Sequence, residues 1–329
     1  MNKKTICAAF ALACCLPFAA CSQTQPTSFN AKWRKITLDP SETVSFPGTE
    51  TAVYDVTFES GGNSAFSVSY PEGGTYTTSL SAKDGKYLYE TRLDIKVRYT
   101  CAGETSDLFE DFVQSSVTFE STQKGLRPVR SEKISAAHVP ASAAPSSLNG
   151  ENACYSAYFT RITTDYSQNT CTTEYFTDET FERAHDSYKT QERSFEPDNK
   201  YSLIDNEELL LAVRGIEGTA ANVVYVYNTA AGKLQKVQIS QSSKESTDFD
   251  FTIVGRESEG TAHTGVSYVP FSVAISDTNP GATQKVWVAQ TTDTANNEYR
   301  NVILKMETPV SFNLGTLVYK LRSVDFLDD

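Results

Sequence analysis

The sequence predicts a mainly β protein, built as a curved antiparallel sheet of meander topology, in the form of a half-barrel or a sandwich, with one or two short helices. Apolar residues recur with a period of two, Gly, Asn and Pro separate these runs, and helical patterns are confined to two short stretches. With 39% hydrophobic residues, 17 Tyr and 18 Phe, the chain can bury a large core.

The first predicted strands are rich in β-branched and aromatic residues, which favour a pleated, half-buried backbone. They are Thr51–Phe58, Tyr87–Tyr99, Val117–Phe119, Tyr155–Thr163 and Val223–Tyr227. The last of these begins a predicted hairpin that ends at Ser240, with Gly232 supplying a positive φ near its turn. A closing meander of four or five antiparallel strands follows, over Phe249–Val254, Val266–Ser276, Gln284–Gln290, Asn301–Met306 and Leu317–Phe326.

Two stretches have helical patterns. In Ile204–Gly215, an acid stands at the N-cap with Glu208 three residues on, Ile204 is spaced to contact Leu209, and Gly215 is placed as the C-cap. The pattern in Asp178–Lys189 puts Phe181, Ala184 and Tyr188 on one face of a second helix.

The N-terminal residues 1–20 are typical of an export signal, with Lys3 and Lys4, an apolar run and Ala19-Ala20 before Cys21. Phe18-Ala19-Ala20-Cys21 resembles a lipobox, which implies lipidation of Cys21 and partnership with a membrane. Phe18 replaces the usual Leu, so ordinary cleavage stays open, and Cys14 and Cys15 are weaker lipidation sites. Stable anchoring needs more than one acyl chain, which a lipobox Cys provides.

Residues 21–30 are polar and predict a flexible tether behind the anchor. Ser22 resembles the sorting pattern for the outer membrane, so a cell envelope location is expected, at the outer membrane if the cell has two membranes. Residues 31–329 form the predicted body, with two lobes at 31–135 and 151–329 joined by an Ala/Pro/Ser-rich linker at 136–150.

The chain is acidic, with a formal charge of −12 that becomes −14 once Lys3 and Lys4 are removed with the signal. Such a field disfavours nucleic acid as a partner. Three cysteines lie in the body, and in an exported protein two of them are expected to oxidise. Cys154 and Cys171 are the favoured pair by separation, pairings with Cys101 stay open, and three buried thiols are the other alternative.

Several motifs resemble parts of an uncharacterised β-rich domain found in bacterial periplasmic proteins and lipoproteins. They are YDVTFES, GLRPVRSEK, YSLIDNEELLLAVRGI, PGATQKVWVAQ, YRNVILKMETP and GTLVYKL. The resemblance covers Ala31–Phe326 and implies a half-barrel similar in shape to the LolA/LolB type, which cradles a lipid. The family has no established activity, and the linker and the cysteines depart from its pattern.

A curved sheet around a helix has a concave apolar face where unfilled space becomes a pocket. The residues expected to line it are Trp287, Tyr225, Tyr227, Phe251, Tyr268, Leu209, Leu210 and Val213. The alternative for the same residues is a plain packed core, because any sheet needs alternating aromatics.

The sequence lacks nucleotide-binding, metalloprotease and serine-hydrolase signatures, so we expect no enzyme activity, no cofactor and no metal site. The leading hypothesis is an envelope protein that binds a hydrophobic ligand or a partner protein. A glycan-binding or adhesin module is the second, and requires Tyr70, Tyr76, Tyr166 and Tyr175 to be exposed. A hydrolase with an unrecognised site is the third, and requires His138, His185 or His263 beside an acid or a Ser.

Overall fold

The computed structural model describes residues 50–62, 66–83, 85–122, 125–197, 201–216, 222–229, 232–275, 283–290 and 299–326. The predicted signal peptide, Cys21 and the tether lie outside these residues, as does the predicted turn Asn279–Gly281. None of the described helices is long and apolar enough to cross a bilayer.

The protein is mainly β, as the sequence predicts. Its described strands are β1 Glu50–Ser60, β2 Phe66–Ser69, β3 Gly74–Lys83, β4 Lys86–Cys101, β5 Glu104–Thr105, β6 Phe109–Thr122, β7 Gly125–Pro140, β8 Tyr155–Asp165, β9 Thr170–Tyr175, β10 Gln191–Ser194, β11 Ser202–Ile204, β12 Asn222–Asn228, β13 Lys233–Gln241, β14 Glu245–Asp250, β15 Thr252–Ile253, β16 Ala262–Ile275, β17 Gln284–Ala289, β18 Ile303–Val310 and β19 Gly315–Phe326. One α-helix, α1 Leu209–Val213, and two 3-10 turns, Glu257–Glu259 and Ser311–Asn313, accompany them in this part of the chain.

The strands form one large curved sheet that does not close. Hydrogen bonding joins them in the order β10, β9, β8, β7, β6, β4, β3, β1, β19, β18, β17, β16, β13, β12 and β11. All neighbours in this order are antiparallel except β11 and β12. At the far end, β11 lies against β7, and α1 packs its apolar side chains into the core on the inner face of the sheet.

The short strands β2 and β5 pair with the end of β4, while β14 pairs with β16 and β15 runs parallel to β19. Alternation along β1 shows how the sheet acquires an inner face. Ala52, Tyr54 and Val56 are buried, whereas Asp55 and Thr57, on either side of Val56, are exposed. The inner side chains of both halves of the sheet meet in one apolar core.

The predicted hairpin is confirmed: β12 pairs with β13, and Gly232 has a φ of 63° beside the turn. The closing antiparallel meander is also confirmed, over β16 to β19. The same sheet contains strands from both sides of the predicted linker. Residues 136–140 of that linker belong to β7, because they pair with β8, so only residues 141–150 remain outside the strands.

The predicted second helix at Asp178–Lys189 is wrong. Phe181 has a φ of 57°, which a right-handed helix cannot contain, and Phe176 forms an antiparallel bridge with Ala184. The first predicted helix, over Ile204–Gly215, is confirmed but shorter: α1 begins at Leu209 after the N-cap Glu208 and ends at Val213 before the C-cap Arg214. Gly215 does not take the expected left-handed conformation, and its N–H instead donates to the Ala212 carbonyl in a tight last turn.

Candidate functional site: a filled interior and an outer groove

The concave face of the sheet is occupied by α1. Leu209, Leu211, Ala212 and Val213 are at most 7% exposed and lie in the same apolar core as inner residues of the sheet, such as Tyr54. The space in which a cradled lipid was expected is therefore filled by the chain's own helix at these positions.

Two acids bond the backbone in the turn before α1, although the N-cap of α1 is Glu208 and not the predicted Asp205. The Asp205 carboxylate accepts from the Glu207 N–H at 2.8 Å, and the Glu208 carboxylate accepts from the Asp205 N–H at 3.2 Å. This reciprocal arrangement satisfies two backbone donors of the turn that leads into α1. The Tyr166 hydroxyl also donates to Asp205 at 2.6 Å, which links the segment to the end of β8.

Glu208 is an ionisable group in an apolar setting. It is 0% exposed, and its Oε1 atom has no hydrogen-bond partner among the described residues. Burial disfavours the charged carboxylate and, with the nearby Asp205 charge, raises the pKa of Glu208 to about 8, although the Asp205 N–H lowers it. Glu208 is therefore mostly a neutral acid at pH 7.

Arg214 and Glu50 form a buried ion pair between the end of α1 and the start of β1. The guanidinium donates to both carboxylate oxygens, at 2.5 and 3.0 Å, while Arg214 is 5% and Glu50 2% exposed. Arg214 also donates to the carbonyls of Arg300 and Asn301, at 3.0 and 2.9 Å. The pair thus fixes α1 to β1 and to the turn before β18.

A third polar contact joins the same segment to β7. The Lys133 ammonium donates to Glu207 at 2.7 Å, with the two side chains 29% and 18% exposed. Burial raises the pKa of Glu207, but the Lys133 charge and hydrogen bonds from Lys133, Asn206 and Ser115 outweigh it and hold that pKa below its ordinary value. The interior is therefore an apolar core with a polar network.

The eight residues expected to line a pocket are divided between the main core and the opposite face of β12. Leu209, Val213, Phe251 and Tyr268 are buried in the main core, and Leu210 and Trp287 pack partly buried against it. Tyr225 and Tyr227 alternate with the inner residues Val224 and Val226, so they belong to the opposite face of β12. The alternative of a packed core describes the first group better.

A groove of about 1000 Å³ opens mainly on the outer face of the sheet. Its walls come from β1, β3, β4, β6, β7, β8 and β19, the turn before β3, the loop before β6 and the loop after β9. It is lined by Asp55, Glu72, Gly73, Gly74, Thr75, Arg92, Asp94, Ile95, Lys96, Leu108, Phe109, Glu110, Asp111, Phe112, Ala136, His138, Phe159, Glu179 and Arg322. None of the eight predicted pocket residues is among them.

The groove has an aromatic wall and a charged wall. On the aromatic wall, Phe109 stacks on His138 with 3.7 Å between ring centroids, and the Arg92 guanidinium lies 4.9 Å above Phe112. Arg92 joins the two walls, because its guanidinium also pairs with Asp94 of the charged wall at 2.7 Å. Because the lining contains six carboxylates and three Lys or Arg side chains, it favours a cationic or neutral ligand over an anionic one.

His138 and Asp111 form a hydrogen-bonded pair within the groove. The carboxylate contacts His138 twice, at 2.8 Å on Nδ1 and 2.7 Å on the backbone N–H. Sequence reasoning placed His138 in a linker and did not connect it with Asp111. Asp111 and His138 are distant in the sequence, and only the pairing of β6 with β7 shows that they are neighbours.

The other two histidines lie elsewhere. His185 Nδ1 accepts from the backbone of Ser187 and Tyr188, and His263 stacks on Phe251 at 4.1 Å. Within the described residues no three His, Cys, Asp or Glu side chains converge as a metal site.

The four tyrosines that a glycan-binding module requires at the surface are each partly buried. Tyr70 packs on Phe58, Tyr76 on Tyr319, and Tyr175 on Tyr188, while the Tyr166 hydroxyl is used by Asp205. That hypothesis therefore loses the observation on which it depended.

The cysteines are buried thiols in two separate places. Cys101 and Cys154 share a small core, whereas Cys171 lies in another with Phe195 and Tyr227. The structure therefore does not bring Cys154 and Cys171 together.

No protein-family model matches the sequence, and no curated protein matches it. Among solved structures, the chain is similar to a β-barrel-like protein of a domain of unknown function, DUF1849, from Brucella abortus. The TM-score is 0.43 at 10% sequence identity, over 84% of this chain and 97% of that chain.

Proposed function

We propose that this chain is a lipid-anchored protein of the bacterial cell envelope that binds a basic segment of a partner protein. The anchoring rests on the export signal and on Cys21. The binding rests on one observation, the outer groove with its aromatic wall and its excess of carboxylates.

A partner protein fits this groove better than a lipid does. Acyl chains need a continuous apolar surface, whereas charged side chains interrupt this lining throughout. Glu179 has no ion-pair partner among the described residues, so it can take a Lys or Arg of a ligand. Phe112 and Phe159 supply the apolar contact that a bound side chain needs.

Photo-crosslinking in cells tests the groove. A benzoyl-phenylalanine at Phe112 is expected to capture a protein, and the same group at the exposed Gln238 of β13, outside the groove, serves as the matched control. Replacing Glu110 and Glu179 with Gln should reduce the Phe112 adduct severalfold. An adduct that is a lipid, or whose yield is the same in the Gln variant, would contradict the proposal.

The anchor is tested separately by metabolic labelling with an alkyne fatty acid. Cys21→Ala should abolish labelling and release the chain from the membrane fraction, whereas Cys14→Ala and Cys15→Ala should leave both unchanged. If Cys14→Ala abolished labelling and Cys21→Ala did not, the lipidated residue would be Cys14.

A hydrolase is a second candidate, favoured by the pair of His138 and Asp111. A carboxylate on Nδ1 orients an imidazole for proton transfer at its other nitrogen. Hydrolysis of nitrophenyl esters that is lost in His138→Gln and retained in Phe112→Ala would support it. No turnover by the unsubstituted protein across esters of several chain lengths would count against it.

A further inference from the structure

Cys101 and Cys154 lie side by side in a small core that is separate from the main one. Cys101 is the last residue of β4, and Cys154 directly precedes β8. They are 2% and 0% exposed and pack with Phe66, Tyr99 and Leu148. Two elements far apart in the sequence thus place their sulfur atoms in one apolar site.

Burial, together with the neighbouring Cys101 thiol, raises the pKa of the Cys154 thiol to about 11. Each of the two thiols points toward a carbonyl of the loop before β8, from Cys101 to Pro145 at 3.9 Å and from Cys154 to Leu148 at 3.6 Å. This loop returns to Cys154, whose N–H donates to the Ser147 carbonyl at 3.1 Å. These contacts therefore hold the backbone of the loop before β8 in place beside the two sulfur atoms.

Cys171 has no comparable partner. It is buried on β9 and packs with Phe195 and Tyr227 in a third cluster, which contains neither of the other two cysteines. Of the three pairings that the sequence leaves open, only one joins neighbouring sulfurs.

We propose that Cys101 and Cys154 form a disulfide in the exported protein and that Cys171 stays a thiol. The two thiols lose two protons and two electrons, and the disulfide of an oxidised oxidoreductase or of oxidised glutathione accepts them and becomes two thiols. The exchange takes place during folding, before the core around the sulfurs closes. This disulfide proposal depends on one part of the proposed function, the export of the chain to an oxidising compartment.

The bond would tie the loop at residues 141–153 to the end of β4, beside the groove. Tyr99, two residues before Cys101, donates its hydroxyl to the His138 carbonyl at 2.8 Å and stacks on Tyr155 at 5.0 Å. Tyr155 follows Cys154 and contacts Phe109 of the aromatic wall. The disulfide therefore supports the elements that carry His138 and Phe109.

Peptide mapping tests the pairing directly, because trypsin separates the three cysteines into Tyr99–Lys124, Ile134–Arg161 and Ile162–Arg183. The processed chain is purified from cells with its thiols blocked at lysis and is digested without reductant. We expect the first two peptides as one cross-linked species and the third carrying the blocking group. A link between the second and third peptides, or three blocked cysteines, would overturn the proposal.

Reduction and substitution give an independent readout. The variants Cys101→Ser and Cys154→Ser should lower the thermal unfolding midpoint by about 5–10 °C and remove its sensitivity to reductant. Cys171→Ser is the matched control and should keep that sensitivity. The reduced protein could form the bond on refolding in glutathione buffer while the protein purified from cells lacks it. That result would contradict both the proposed oxidation and the proposed envelope location. It would leave the proposal that the groove binds a partner unaffected.

Discussion

The interior and the outer groove use charged residues in opposite ways. Inside, Arg214 and Glu50 are 5% and 2% exposed, and Arg214 makes further hydrogen bonds to backbone carbonyls. Outside, Arg322 and Asp55 form a pair of similar chemistry at 2.9 Å whose side chains are 51% and 55% exposed. The comparison distinguishes charged residues that stabilise the fold from charged residues that can contact a ligand.

The difference lies in solvation. A buried charge that loses its partner cannot recover its hydration, so the fold depends on both members of the inner pair. An exposed charge that loses its partner is solvated by water at little cost, so an outer pair can open and exchange its partner for a ligand. For this reason the interior network is structural, and the groove is the better place for binding.

The largest expected effect comes from breaking the inner pair. Arg214→Met should lower the free energy of unfolding by about 3–5 kcal/mol, because it leaves the Glu50 carboxylate buried without a counter-charge. Urea denaturation at pH 7 measures this. The double variant Glu50→Leu/Arg214→Met is the control and should be more stable than Arg214→Met alone. A single variant as stable as the unsubstituted protein would show that water reaches this pair.

A second expected effect concerns the neutral acid in the interior. Glu208 keeps its proton in the folded state up to a pKa of about 8, whereas in the unfolded chain it loses the proton near 4.5. Between these values the folded state binds more protons, so this group makes stability fall as the pH rises, by up to about 1.4 kcal/mol per pH unit. Its contribution is fully present below pH 4.5 and is lost above pH 8.

Glu208→Gln removes this proton equilibrium and keeps an oxygen to accept from the Asp205 N–H. The variant should therefore be more stable than the unsubstituted protein at pH 7, by at most about 3 kcal/mol, and the gap should close toward pH 5. Urea unfolding of both proteins at pH 5, 6, 7 and 8 gives the difference directly. Parallel curves would mean that Glu208 titrates like an exposed acid.

The local features of this fold were predictable, because they depend on neighbours in sequence. The hairpin turn at Gly232 and the reciprocal bonds of Asp205 and Glu208 before α1 follow from residue types at fixed spacing, although the N-cap itself lies three residues later than predicted. The second helix failed for the opposite reason: the spacing of Phe181 and Ala184 is helical, but the bridge between Phe176 and Ala184 keeps this segment beside the sheet.

The groove could not be predicted from local patterns. Asp111 and His138 meet because β6 and β7 pair in one register, and no spacing along the chain encodes that register. The same holds for Cys101 and Cys154, whose separation in sequence disfavoured them as a pair. The aromatic residues were predicted to line a pocket or to fill a core, and a pattern of period two does not decide which face of a strand encloses a cavity.

The smallest expected effect concerns the outer pair of Arg322 and Asp55. Arg322→Met should change the free energy of unfolding by about 0–1 kcal/mol, because Asp55 is solvated once the guanidinium is gone. The measurement is the same urea titration used for Arg214→Met, repeated at low and high salt. Since both substitutions remove one arginine from an ion pair and install the same side chain, burial is the main difference between them. A loss of 3 kcal/mol or more in Arg322→Met would place structural charges on both faces of the sheet and would remove the physical ground for assigning binding to the groove.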